Sequence, residues 1–255
     1  MSSAADLLWE GPPEFVEARR DEVHVWRAGL GVAPSQLETL SAILSVDEKK
    51  RAERFHFKED RGEFIAGRVL LRILLGRYVQ RAPSQLQFSY GPSGKPRLAG
   101  EDPSLRFNLS HSHGLALYAF IRGRELGVDL EWMKRNADAE KIAERFFSAQ
   151  EVVTLRALPA REKEKAFFDC WTRKEAYIKA KGDGLTAPLD GFSVSLSPGE
   201  PAALLNVKDD PAEVSRWSLR ELDPGPGYAA ALAVEGNDWR LRCWEWSWQG
   251  LSAER

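Results

Sequence analysis

Apolar residues recur at helical spacing along two long stretches of the chain. Between about Asp60 and Gln80, Phe64, Ile65, Val69, Leu70, Ile73, Leu74 and Val79 make a wide apolar face, and Pro83 bars the helix from continuing. Between about Arg161 and Gly182, Phe167, Trp171 and Ile178 define a second inward stripe. Period-two alternation around these stretches predicts strands over 22–27, 86–90, 105–109, 115–121 and 126–131, then over 191–196, 215–222, 228–234 and 239–246. Shorter helices are expected over 35–44 and 138–147. Another should start at the capping box Ser148-Ala149-Gln150-Glu151 and end before Pro159. Each half thus carries one long helix beside several strands, in the same order. The expected architecture is α+β with two lobes, each one long helix packed on a small, mostly antiparallel sheet. The boundaries read as a loosely ordered lead-in over 1–20, an N-terminal lobe over 21–122, a C-terminal lobe over 123–248 and a tail over 249–255. A cleft between the lobes is the natural place for a ligand.

Composition narrows the function classes. Hydrophobic residues at 43% and charged residues at 29% describe a globular chain able to bury a core without staples. A formal net charge of −2 argues against a globally basic nucleic-acid binder but leaves room for local cationic surface, which the run from Asp47 to Arg61 supplies. Cys170 and Cys243 lie far apart in apolar contexts, so two buried free thiols are expected rather than a metal site or a disulfide. No apolar run is long enough for a membrane span and the first residues lack a basic leader, so cytoplasmic residence is the expectation.

Chemistry enters where acids stand on faces that should be apolar. At about 100° per residue Glu175 falls inside the stripe of Trp171, with Lys179 one turn on. The pair suits an ordinary i,i+4 ion pair, and equally a carboxylate that holds a cation beside a lysine that meets negative charge. In Gly127-Val128-Asp129-Leu130-Glu131, strand alternation turns Asp129 and Glu131 to one side while Val128 and Leu130 enter the core. Either this is a solvated acidic edge or a divalent cation sits between the acids, and three acids with a phosphate ligand are the usual protein share of a magnesium site. Ser110 and His111, at the polar end of the strand Phe107-Asn108-Leu109, could donate to a phosphate; otherwise they form a turn. Gly94-Lys95-Pro96 and the basic run would suit several phosphates, or be plain surface.

Together these segments resemble a known family. Gly127 to Glu131, followed about forty residues later by Trp171-Thr172-Arg173-Lys174-Glu175-Ala176-Tyr177-Ile178-Lys179, resembles the two-part signature of the 4′-phosphopantetheinyl transferases. Phe107 to His111, Gly94-Lys95-Pro96, and Arg54-Phe55 leading through Lys58-Glu59-Asp60 resemble the upstream motifs. Order and spacing resemble the surfactin-synthetase-associated type, a pseudo-dimer of two α+β lobes, over about Asp47 to Phe192. The resemblance implies Mg²⁺-dependent transfer of 4′-phosphopantetheine from coenzyme A to a serine of an apo acyl or peptidyl carrier protein, with release of adenosine 3′,5′-bisphosphate. By motif position it makes Asp129, Glu131 and Glu175 the metal ligands and sets Lys179 beside the reacting phosphate. Arg54, Lys95, Ser110 and His111 become coenzyme A contacts. The serine proton would go to Glu175 or to a metal-bound water. No nucleic-acid or membrane partner is implied, and a two-lobed chain could act as a monomer. The rivals are a Mg²⁺-dependent phosphodiesterase or nuclease, for which Met133 stands where such sites commonly carry lysine, and a catalytically silent coenzyme A or carrier-binding module.

Overall fold

In a computed structural model of the chain, the structure describes residues 8–91, 94–100, 102–134, 138–182 and 188–249. Residues 1–7 of the expected lead-in and 250–255 of the expected tail lie outside the described residues. In chain order the elements are β1 (Glu22–Gly29), α1 (Pro34–Leu40), α2 (Val46–Ala52), α3 (Lys58–Val79), β2 (Phe88–Tyr90), β3 (Pro96–Leu98), β4 (Leu105–Ser112), β5 (Leu115–Arg122) and β6 (Leu126–Trp132). There follow α4 (Ala139–Phe146), α5 (Ala149–Ala157), α6 (Ala160–Lys181), β7 (Phe192–Val194), β8 (Leu204–Val207), α7 (Glu213–Arg216), β9 (Trp217–Leu222), β10 (Tyr228–Glu235) and β11 (Arg240–Glu245). Among the described residues no helix is long and apolar enough to cross a membrane, and both cysteines are buried and free.

Alternation along the strands builds four layers. Of the two larger sheets, one runs β11-β1-β5-β4 and the other β6-β10-β9, while β2-β3 and β7-β8 form two-stranded pairs. Val23 and Val25 of β1, Leu117 and Ile121 of β5, Val128 and Leu130 of β6, and Ala230 and Leu232 of β10 form a common core between the sheets. The opposite face of the first sheet takes α3, with Leu70, Leu71 and Leu74 packed among Trp26, Tyr118 and Phe120. The opposite face of the second takes α6, whose Ala176 and Ala180 meet Ala229, Ala231 and Ala233. Those small residues bring helix and sheet close together. The expected α+β architecture of a long helix on a small sheet in each lobe is what the chain adopts, with one difference in sheet membership. The closing strand β11, expected with the second lobe, pairs in parallel with β1 of the first, from Glu22↔Arg240 to Arg27↔Glu245. Both strands carry apolar residues on two faces, and β1 offers its free edge there.

The lobes repeat one device. Ser45 and Glu48 form a capping box on α2, and Ser148 and Glu151 form one on α5. In each lobe the box glutamate is buried and reaches a cation at the fifteenth position of the 22-residue long helix. Glu48 meets Arg72 at 2.7 Å and Glu151 meets Lys174 at 2.8 Å. Both cations then cap backbone carbonyls: Arg72 those of Pro83 and Leu86, Lys174 those of Leu189 and Phe192. Such buried pairs are held by their full hydrogen bonding, since a bare charge there would cost several kcal/mol, on the order of 3–5.

At Gly127 α6 approaches its sheet closely. A Cβ added there would stand 2.2 Å from the Ala176 carbonyl oxygen and 2.4 Å from the Ala180 nitrogen, both backbone atoms that cannot rotate away. Gly127→Ala should therefore cost about 3 kcal/mol or more, at or above the top of the usual overpacking range. Gly29→Ala, where an added Cβ meets nothing within 4 Å, is the control and should cost little. Denaturant unfolding of the two variants checks the difference, and equal midpoints would show that the contact does not constrain the fold.

Candidate functional site

The site grows from that contact. On β6, Val128 and Leu130 enter the intersheet core, so Asp129 and Glu131 turn toward α6 and the rim of the sheet. From α6 come Glu175 and Lys179, one turn apart. Lys179 Nζ donates to Asp129 Oδ1 at 2.6 Å and to Ser110 Oγ at 3.0 Å, and Ser110 in turn donates to the same Asp129 oxygen at 3.0 Å. Asp129 is only 3% exposed and Glu175 9%. Asp129 Oδ2 and Glu175 Oε1 are buried oxygens with no hydrogen-bond partner.

Strand β4 from the first lobe holds these acids across the seam. It runs beside β6 and meets it through side chains. Asn108 Oδ1 accepts from the Val128 amide at 2.9 Å and Ser112 Oγ from the Trp132 amide at 3.0 Å. Ser112 also donates to Glu131 Oε2 at 3.3 Å. Positions 108, 110 and 112, on the side of β4 that faces β6, thus serve backbone, Asp129 and Glu131 in turn. Burial, then the charge of Asp129, raises the Glu131 carboxyl above the ordinary range. The same two causes raise Glu175, with Lys179 opposing.

These groups form the floor of an open cleft of about 610 Å³ between the lobes. Arg51 and Phe55 at the α2 end, Phe64 and Arg68 of α3, and Tyr90 of β2 supply the facing wall, while Trp171 of α6 stands beside Glu175. Arg68 is fixed by Glu48 at 2.7 Å and donates to the Tyr90 hydroxyl at 2.9 Å, so α2, α3 and the β2–β3 hairpin are joined at the wall. Of the residues singled out in the sequence, Asp129, Glu131, Glu175, Lys179, Ser110 and His111 come together here. Arg54 is exposed after α2 and does not line the cleft; Arg51, one turn earlier, does. Lys95 turns to the other side of its hairpin, into a smaller cavity of about 250 Å³ with Arg97, Arg106 and Glu125. Burial there lowers its ammonium pKa to about 8. The sequence reading missed Arg51, Arg68 and Ser112. Arg68 carried a signal, a cation on the apolar face of a long helix, whereas Arg51 was one of several in a charge run.

The donor set suits a hard divalent cation: carboxylate oxygens, two of them buried without a partner, on groups whose mutual repulsion a cation would relieve. Among the described residues no three such side chains converge into a ready-made cage, and the cation standing on Asp129 is the Lys179 ammonium. The floor can hold a cation, place an ammonium against an anionic ligand and take up a proton, with hydroxyl donors alongside.

Comparison with known proteins puts this site in context. The pattern of the 4′-phosphopantetheinyl transferase superfamily matches residues 125–233, which include all three acids, and that of the 4′-phosphopantetheinyl transferase N-terminal region matches residues 32–121. The chain is 45% identical over 240 residues to 4′-phosphopantetheinyl transferase HetI of a Nostoc species, an alignment covering 93% of this chain and 98% of that one. It is 34% identical over 197 residues to 4′-phosphopantetheinyl transferase Sfp of Bacillus subtilis, covering 77% and 85% respectively. Two family patterns spanning both lobes and a relative aligned almost end to end show that the chain belongs to the 4′-phosphopantetheinyl transferase superfamily.

Proposed function

We propose that this enzyme transfers the 4′-phosphopantetheine arm of coenzyme A to a serine of an apo acyl or peptidyl carrier protein in a Mg²⁺-dependent reaction that releases adenosine 3′,5′-bisphosphate. The observation that carries the reading is the cleft floor, lined by Asp129, Glu131, Glu175 and Lys179, where two buried carboxylate oxygens lack partners. Asp129, Glu131 and Glu175 would hold Mg²⁺, which when bound offsets charge on the diphosphate. One chain supplies every one of these groups, consistent with a monomer that acts alone. The arrangement calls for no nucleic acid and no membrane.

The chain's own residues divide the remaining work. The carrier serine oxygen forms a bond to the phosphorus that bears the pantetheine arm, and the bond from that phosphorus to the bridging oxygen of the departing nucleotide breaks. Glu175, at the cleft floor, accepts the serine proton. The Lys179 ammonium offsets the charge that gathers on the leaving phosphate. Ser110 keeps Asp129 and Lys179 in register through its bonds to both. His111 and Arg51 on the cleft walls, with Arg54 nearby, present donors to the coenzyme's phosphates.

Two outcomes test this. Asp129→Ala should lower transfer by at least about a hundredfold while the fold survives, and chelation should stop the wild-type enzyme until Mg²⁺ is restored. The intact mass of an apo carrier incubated with coenzyme A reads both, and a wild-type rate in the variant would refute the metal assignment. Glu175→Gln should reduce kcat by about 10²–10⁴-fold with a smaller effect on the KM for coenzyme A. A reduction confined to KM would remove Glu175 from the proton transfer.

A further inference from the structure

Lys95 sits between two elements of the site without entering it. Its hairpin loop is closed by backbone bonds from Gly91 N to Lys95 O at 3.0 Å and from Gly94 N to Gly91 O at 2.9 Å. Gly94, in the left-handed region at φ 78°, lets the chain turn so that Gly94 and Pro96 face the cleft while the Lys95 side chain points behind it. The ammonium crosses from the first lobe to the second and donates to the carbonyl of Lys179 at 2.7 Å, of Leu126 at 3.1 Å and of Ala180 at 3.4 Å. Glu125 Oε2 stands at 3.7 Å and the side chain is 12% exposed. An ammonium has three N–H groups, and three carbonyls face this one.

Two of those carbonyls, of Lys179 and Ala180, are ones α6 cannot satisfy for itself. The last turn of a helix leaves its carbonyls without partners and collects negative partial charge. The Gly182 amide takes the Ile178 carbonyl at 3.0 Å, and Lys95 takes the next two. The third bond, to Leu126, ties the same ammonium to the start of β6, three residues before Asp129. The two chain segments that must hold Lys179 Nζ and Asp129 Oδ1 at 2.6 Å are therefore fastened to one cation from the opposite lobe.

We infer that Lys95 is a positioning residue, a strut that seals the last turn of α6 and fixes the Lys179 side chain relative to Asp129, and that its ammonium is not a coenzyme A contact. The inference rests on the proposed transfer reaction for its kinetic consequence and on the structure alone for the strut.

The test uses the full chain with Lys95→Met and Lys95→Arg. If the strut operates, Lys95→Met lowers kcat by about 10- to 100-fold, the scale of a misplaced catalytic group, while the KM for coenzyme A changes less than about twofold. Lys95→Arg, which can still donate to the same carbonyls, recovers most of the loss. Hydrogen exchange of the amides at 180–182 accelerates in Lys95→Met relative to wild type, a readout that needs neither substrate nor turnover. A tenfold rise in KM with kcat unchanged at saturating coenzyme A would make Lys95 a ligand and overturn the inference. Unchanged exchange in the last turn of α6 would also overturn it. If Lys95→Met does not fold, the Lys95→Arg variant decides: a raised KM at unchanged kcat counts against the strut, and near wild-type values for both supports it. Should the wild-type chain transfer nothing from coenzyme A to an apo carrier, the function proposed above fails, and the exchange result still decides the strut.

Discussion

The structure depends on how closely α6 can approach β6. At Gly127 the strand and helix backbones come together with no room for a methyl group, and the small alanines of β10 pack in the same layer. A thin interface sets the α6 and β6 backbones close enough for side chains of the two to meet at the edge of the packed layer. That is why a short acid on β6 can receive a lysine from α6 at 2.6 Å while both remain largely out of water. The cost of holding three carboxylates there is plain in the raised Glu131 and Glu175, and it is the kind of cost that a cation or a transferred proton relieves.

The seam between the lobes is built on polar side chains rather than on a continuous ladder. Strand β4 presents Asn108, Ser110 and Ser112 to β6, two of them replacing the carbonyl that a neighbouring strand would have offered to the Val128 and Trp132 amides. The same row fixes Asp129 and Glu131. The lobes are thus joined by the groups that orient the acids, and a shift at the seam is a shift at the site.

Much of this was legible in the sequence because it rests on local periodicity. The two long helices, the alternation that turns Asp129 and Glu131 to one side, and the i,i+4 relation of Glu175 and Lys179 are properties of a few neighbouring residues. What escaped depends on partners far along the chain or on elements too short to show a period. Nothing in β11 says that it returns to the edge of β1, and β3 and β8 are three and four residues long. The Ser45–Glu48 box was written plainly, but it runs into a dense charge run, where nothing local tells which cation, Arg51 or Arg54, faces the cleft. Lys95 was visible as a residue and invisible as a direction, since the turn at Gly94 decides which side of the hairpin it takes.

The repeated long helices differ where it matters. The position of Glu175 in α6 is held by Ile73 in α3, and that of Lys179 by Arg77. Arg77 lies over the Trp26 ring at 5.5 Å and donates to the carbonyls of Pro13 and Glu14, under a segment of chain that crosses it. Where α6 has an acid–lysine pair, α3 thus has an isoleucine and an arginine that lies on an aromatic ring beneath a strap. Among the described residues the two long helices thus divide their labour: α6 carries its acid and lysine to the cleft, and α3 uses the matching positions to hold its own lobe together.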